Sequence, residues 1–198
     1  MILHRLRLVA AAIALASSSA AAQPDEARAA FEREDYAAAA ALYRPRAERG
    51  DAEAQYRLGL MMRFGWGVGR DAAAAAAMLR RAADQKHALA QAELGTMYRL
   101  GRGVPADAKE AATLLRAAAE AGVGIAQLSI GRMYRDGTGV APDPVEAYAW
   151  FQLAGENSVM DGFAYRSELA KTMNEQQLAA ARKLAAERAR TVPREARP

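Results

Sequence analysis

The stretches AQYRLGLMMRFGWGVGRD (Ala54–Asp71), AQAELGTMYRLGRGVPAD (Ala90–Asp107) and AQLSIGRMYRDGTGVAPD (Ala126–Asp143) align without a gap at a period of 36 residues. In register stand Gly59/Gly95/Gly131, Met61/Met97/Met133, Gly65/Gly101/Gly137, Gly67/Gly103/Gly139, Val68/Val104/Val140 and Asp71/Asp107/Asp143. So many matched columns identify an internal repeat, the signature of a stacked array.

Each unit reads as helix–loop–helix. In the first copy a helix over about 52–64 places Ala54, Leu58, Met61 and Met62 at helical spacing. Gly59 stands inside it, where glycine costs about 1 kcal/mol against alanine. Three copies accept that cost, which predicts a neighbouring backbone passing over these positions. Gly65 suits a left-handed helix end, Gly67 gives the loop a second bend, and Val68 pins it to the core. The second helix starts at Asp71, Asp107 and Asp143, whose carboxylates can cap free N–H groups. Pro144 follows the third of these, at the position where a helix tolerates proline. The second helix carries Ala75/Ala111/Ala147, Met78/Leu114/Trp150 and Leu79/Leu115/Phe151, and closes near Lys86/Gly122/Ser158.

The pattern A-x-x-x-L-G-x-x-Y-x-x-G-x-G-V-x-x-D, with A-x-x-W-x-x-x-A-A behind it, resembles the Sel1-like repeat, a relative of the tetratricopeptide repeat. The resemblance covers about 50–157. The family's Leu-Gly falls on Leu58-Gly59, Leu94-Gly95 and Ile130-Gly131, its Tyr on Tyr98 and Tyr134, and its Trp on Trp150. Met62 replaces the Tyr in copy one, and Met78 and Leu114 replace the Trp in copies one and two; all remain apolar. The resemblance implies an all-α, right-handed α/α solenoid of about five helix pairs, and a non-enzymatic adaptor or regulatory role in bacterial envelope assemblies.

The flanks read as worn units, as solenoid ends should. Asp35, Ala39, Leu42, Tyr43, Ala47 and Gly50 repeat the second-helix pattern, so 23–49 is a degenerate N-terminal cap, with Pro45 expected to kink its helix. After the three repeats of 50–157, residues 158–188 hold a closing helix pair, with Asn174 and Gln177 as a capping box. Residues 189–198 read as a disordered basic tail.

Residues 1–22 read as a secretory signal peptide: Arg5 and Arg7, the apolar run Leu8–Ala16, then Ala20-Ala21-Ala22 before Gln23. The run is far short of the roughly 20 residues a spanning helix needs, and no Cys follows for a lipid anchor. A periplasmic or secreted protein is expected. The 198-residue chain has 52 alanines and no cysteine, which favours thin layers of close-packed helices and removes disulfides, thiol catalysis and thiolate metal sites. Its net charge of +4 falls to +2 without Arg5 and Arg7, too little to point to nucleic acid.

Chemistry is sparse. Beyond the leader the one histidine is His87, in a turn; a Ser–His–Asp triad or a metal site would have to be built around it with no second His to help, and an ordinary turn residue is expected. Gly65-Trp66-Gly67-Val68-Gly69 lacks the strand and Lys of a phosphate loop, and Asp136-Gly137-Thr138-Gly139 lacks the later acid of a calcium loop. Glu93 and Glu110 read as solvated acids. No cofactor, metal or catalytic residue is expected.

Binding candidates remain. Arg63, Arg99 and Arg135 recur at one position and would form a ladder with steps of roughly 10 Å. They either complement helix C-termini or form a basic stripe for an acidic protein segment or anionic glycan. Trp66 replaces Arg102 and Thr138 of later copies, either packing on the N-terminal unit or anchoring a partner. Arg57/Glu93/Ser129 and Leu60/Thr96/Arg132 are expected to line the concave face. The expected function is a protein-binding scaffold, monomeric, with a protein partner in the envelope. The rivals are binding of an anionic envelope glycan or peptidoglycan and, remotely, a hydrolase of the kind proposed for some cysteine-rich relatives.

Overall fold

A computed structural model describes residues 23–193; the leader at 1–22 and residues 194–198 lie outside the described residues. Ten helices follow in order, with no strand among the described residues: α1 (Gln23–Glu32), α2 (Tyr36–Glu48), α3 (Ala52–Phe64), α4 (Ala72–Asp84), α5 (Ala88–Leu100), α6 (Ala108–Glu120), α7 (Gly124–Asp136), α8 (Pro144–Glu156), α9 (Asp161–Ala170) and α10 (Glu175–Thr191). Each helix from α1 to α8 packs on its successor, and α10 returns onto α8. The result is an α/α solenoid. No helix among the described residues is long and apolar enough to cross a membrane.

The helix ends follow the sequence closely. Gly65, Gly101 and Gly137 are left-handed caps with φ of 80°, 64° and 69°. The side chains of Asp71, Asp107 and Asp143 accept from the first-turn N–H groups of α4, α6 and α8. Each loop closes by one further bond, from Asp71 N to Met62 O, Asp107 N to Tyr98 O and Asp143 N to Tyr134 O. Pro45 does not end α2, which runs on to Glu48.

The core is thin and built as expected. Leu58, Met61, Leu79, Leu94, Met97, Leu115, Ile130, Trp150 and Phe151 are buried, and the fully buried alanines Ala75, Ala82, Ala111, Ala118, Ala147 and Ala154 let the helices close up. The glycines inside the first helices sit against the second helix of their own unit. A Cβ at Gly95 would lie 2.9 Å from Leu115 Cγ, and one at Gly131 2.7 Å from Phe151 Cε1. The bulky second-helix side chain of the same unit comes nearest, and the backbone of that helix passes just behind it: a Cβ at Gly95 would lie 3.3 Å from Ala111 O and one at Gly59 3.4 Å from Ala75 O.

Still closer backbone passage occurs at the second loop glycine. A Cβ on Gly103, whose φ is +72°, would fall 2.2 Å from Ala72 O, the first residue of the preceding unit's second helix. Gly67 meets Tyr36, and Gly139 meets Ala108, in the same way. The loop of each unit therefore rests on the second helix of the unit before it.

A second inter-unit tie is polar. The buried Gln55 and Gln127 donate to Ala47 O and Ala119 O at 3.0 and 3.1 Å, and Gln91 donates to Ala83 O at 3.3 Å. These carbonyls belong to last-turn residues, which helices leave short of intrahelical partners. Buried amides must find partners, and here the partner sets the register between units. The column is visible in the three quoted stretches, each opening on Ala-Gln, yet its periodicity alone gives no partner.

The C-terminal end departs from expectation. The capping box of Asn174 and Gln177 is present, but α10 extends past 188 to Thr191, and Val192 packs into the core cluster around Trp150. Arg188 anchors this segment, pairing with Glu146 at 2.8–2.9 Å and lying 4.2 Å over the Trp150 ring. Val192 supplies an apolar contact that a tail beginning at 189 would leave in water.

Candidate functional site

The exposed side of the first helices presents a grid. Along α3 stand Glu53, Arg57, Leu60 and Phe64; along α5, Leu89, Glu93, Thr96 and Leu100; along α7, Ile125, Ser129, Arg132 and Asp136. Within each helix these positions follow i, i+4, i+7 and i+11, so they share one face. None of them is buried, whereas Leu58, Leu94 and Ile130 on the opposite face are. Phe64, Leu100 and Ile125 are 47%, 41% and 59% exposed, leaving apolar side chains on this face uncovered.

The three periodic arginines meet three different fates. Arg63 of α3 forms an ion pair with Glu93 of α5 and lies 4.8 Å over the Phe64 ring. Arg135 of α7 holds Asp136 through two hydrogen bonds of 2.7 and 3.0 Å, and stands 5.2 Å over the Tyr165 ring of α9. The pairing lowers the Asp136 carboxyl below its ordinary pKa and raises the Arg135 guanidinium. Arg99 is exposed and has no carboxylate partner among the described residues. It lines a cleft of 240 Å³ with Ser129, Arg132, Met133, Asp136 and Thr138.

Arg132, on the other wall of this cleft, lies 5.4 Å over the same Tyr165 ring. Two cations, one on α5 and one on α7, thus border a recess whose single carboxylate is already held by Arg135. Such an arrangement favours a monoanionic group over a neutral one, because guanidiniums bind carboxylates through parallel N–H donors.

Trp66 packs on the N-terminal unit. It stacks on Tyr36 at 5.7 Å and on Phe64 at 4.7 Å, with Phe31 edge-on at 5.8 Å. Arg57 is engaged with Glu53 at 2.5 Å. Glu53 in turn receives His87 Nε2 at 2.9 Å, while His87 Nδ1 accepts from Ala90 N and caps α5. The hydrogen bond from His87 leads the causes that hold Glu53 down to about 2, ahead of that from Arg57 and against the opposing effect of burial. His87 is thus a helix cap and the anchor of one carboxylate.

The family positions Tyr98 and Tyr134 link successive units on the other side. Arg80 of α4 donates to the Tyr98 hydroxyl at 2.5 Å and also pairs with Glu110, and Arg116 of α6 lies 5.5 Å over Tyr134. Trp150 is buried, its indole N–H without an acceptor among the described residues. Among the described residues there is no group of three His, Asp or Glu placed to hold a metal ion.

A family model for the Sel1 repeat matches residues 52–87, 88–123 and 124–159. Among solved structures, a protective antigen present in uropathogenic Escherichia coli strains and displaying an SLR fold is similar at 35% identity and a TM-score of 0.73, over 78% of this chain and 33% of its own. A Sel1 repeat protein from Oxalobacter formigenes is similar at 30% identity and a TM-score of 0.64, over 76% of this chain and 62% of its own. The chain therefore spans less than two thirds of either structure it resembles. A comparison with curated proteins found no match. Sel1 repeats are commonly protein–protein interaction scaffolds. With three matched repeats, the left-handed glycine caps and the Asp-capped second helices in place, the chain belongs to the Sel1-repeat family.

Proposed function

We propose that this protein is a non-catalytic scaffold of the bacterial cell envelope that binds another protein on the exposed face of α3, α5 and α7. The observation that supports this is the contrast within the repeat. Buried positions recur from unit to unit, while the exposed grid differs at each matched place: Arg57/Glu93/Ser129, Leu60/Thr96/Arg132 and Phe64/Leu100/Asp136. A rigid frame carrying a varied, partly apolar surface suits recognition by shape and side-chain chemistry. The envelope assignment rests on the leader reading of residues 1–22.

A photoreactive amino acid placed at Thr96 or at exposed Leu100 tests the reading in cells, with Lys109 on the second-helix side as the control. The expected result is a discrete protein adduct from Thr96 and Leu100 but not from Lys109. Equal adducts from all three positions would refute the assignment of the face. Absence of protein adducts, together with salt-sensitive retention of the protein on purified envelope glycan, would replace the scaffold by the glycan reading.

A further inference from the structure

We propose that the cleft between α5 and α7 is a carboxylate-binding pocket, and that it selects an extended peptide segment carrying Asp or Glu beside an apolar residue. This rests on the exposed helix face being the protein-binding face. The argument begins from a spacing of 30 residues. Arg63 is paired with Glu93, and Arg135 lies over Tyr165. By the same offset Arg99 meets Ser129, and the two line one cleft. Where the first pair of units supplies a carboxylate from the chain itself, the second supplies a hydroxyl. The Ser129 hydroxyl is moreover committed as donor to Ile125 O at 2.8 Å. The place taken by Glu93 in one unit is thus left for a ligand in the next.

Size and surroundings narrow the occupant. A recess of 240 Å³ admits one or two side chains and no folded element. Arg132 adds a second guanidinium, and buried Met133 lies among the lining residues. Asp136 shares the cleft, which disfavours a dianionic phosphate more than a single carboxylate. Leu100 follows Arg99 at the end of α5, and Ile125 lies one turn before Ser129 on α7; both are exposed. These apolar neighbours favour a peptide over a sulfated or carboxylated glycan, which would leave them uncovered.

The test uses a displayed library of random 12-residue peptides against the chain from residue 23 onward. Enriched peptides are expected to carry Asp or Glu next to Leu, Ile, Val, Phe or Met. Three substitutions then act in predictable directions. Ser129→Glu rebuilds within the chain the pair that Arg63 makes, and should weaken the enriched peptides at least about tenfold. Arg99→Gln should do the same without disturbing the fold, since Arg99 is exposed and unpaired among the described residues. Glu93→Ser should free Arg63 and raise the number of peptides bound from one toward two. Acidic peptides whose affinity is unchanged in Ser129→Glu and Arg99→Gln, with helical circular dichroism intact, overturn the proposal. Enrichment of neutral or basic peptides that still protect Thr96 and Leu100 from labelling overturns the pocket and leaves the scaffold standing. No enrichment combined with no in-cell adduct overturns both.

Discussion

Gly101 and Gly103 stand two residues apart in one loop, both with positive φ (+64° and +72°), and the structure assigns them different costs of substitution. An alanine at either must adopt the left-handed region, at about 1–2 kcal/mol. At Gly101 the added Cβ would meet Ala106 Cβ at 3.4 Å, an ordinary contact. At Gly103 it would fall 2.2 Å from Ala72 O and 2.4 Å from Ala72 C. An acceptable carbon–oxygen approach is about 3.3 Å, so the loop must withdraw from α4 by about 1 Å. The obstacle is the first turn of a helix, held by the Asp71 cap, and it cannot rotate away as a side chain could. Overpacking of this kind costs about 1–3 kcal/mol more. The expected totals are about 1–2 kcal/mol for Gly101→Ala and about 2–5 kcal/mol for Gly103→Ala. For a chain of this size each kcal/mol lowers Tm by about 2–4 °C. Thermal melts followed by helical circular dichroism should then fall by about 2–8 °C and about 4–20 °C respectively, always further for Gly103→Ala. Equal shifts in the two variants would falsify the claim that the second glycine exists for contact between units.

Three further substitutions test other parts of the frame. Lys86 has φ of 63° where the matched Gly50 and Gly122 have 95° and 93°; Lys86→Gly should raise stability by about 0.5–1 kcal/mol, read as a small rise in melting temperature, and a fall would show that no strain is stored there. Gln127→Ala removes the bonds to Ala119 O and from Asn157 Nδ2 and opens a small void; a loss of about 3 kcal/mol in denaturant unfolding is expected, and a loss under about 1 kcal/mol would deny the amide its role in register. Glu53 has a folded pKa of about 2 against an ordinary value of 4.5; its contribution is therefore fully present above pH 4.5 and lost as pH falls from there through 2. Glu53→Gln should flatten that part of the stability–pH curve, and parallel curves for variant and wild type would contradict the assignment.

How far the fold could be read from the sequence depended on whether a feature recurs and whether its cause is local. Helix ends were legible because Gly65 and Asp71 act within one turn of their own positions. The inter-unit ties were not, although they recur just as strictly. Gly67, Gly103 and Gly139 could be read as bends, and their positive φ agrees, but the carbonyl each one meets lies 31 residues earlier in the chain. The Gln55/Gln91/Gln127 column showed itself as a repeated letter with no visible partner, since the accepting carbonyl lies eight residues back in another helix. The last turn of the C-terminal helix was least legible, although its start and capping box could be read, because Arg188 finds Glu146 across 42 residues without any periodic counterpart.

The arginines show why a repeated residue need not be a repeated function. Arg63, Arg99 and Arg135 are identical in local sequence position, and each ends a first helix where its charge complements the carbonyls of the last turn. What distinguishes them is the residue 30 positions later, Glu93, Ser129 or Tyr165, together with the one adjacent to each arginine, Phe64, Leu100 or Asp136. The first neutralises its arginine, the third stacks beneath it, and the second leaves it facing a cleft. A ladder of three equivalent charges would attract any polyanion, with strength set mainly by salt. One unpaired guanidinium beside Arg132, framed by exposed Leu100 and Ile125, would discriminate by position instead. Binding that collapses on Ser129→Glu while Arg63 and Arg135 stay in place is the behaviour that separates the pocket from the stripe, because a row of charges would lose only part of its attraction when one site is filled.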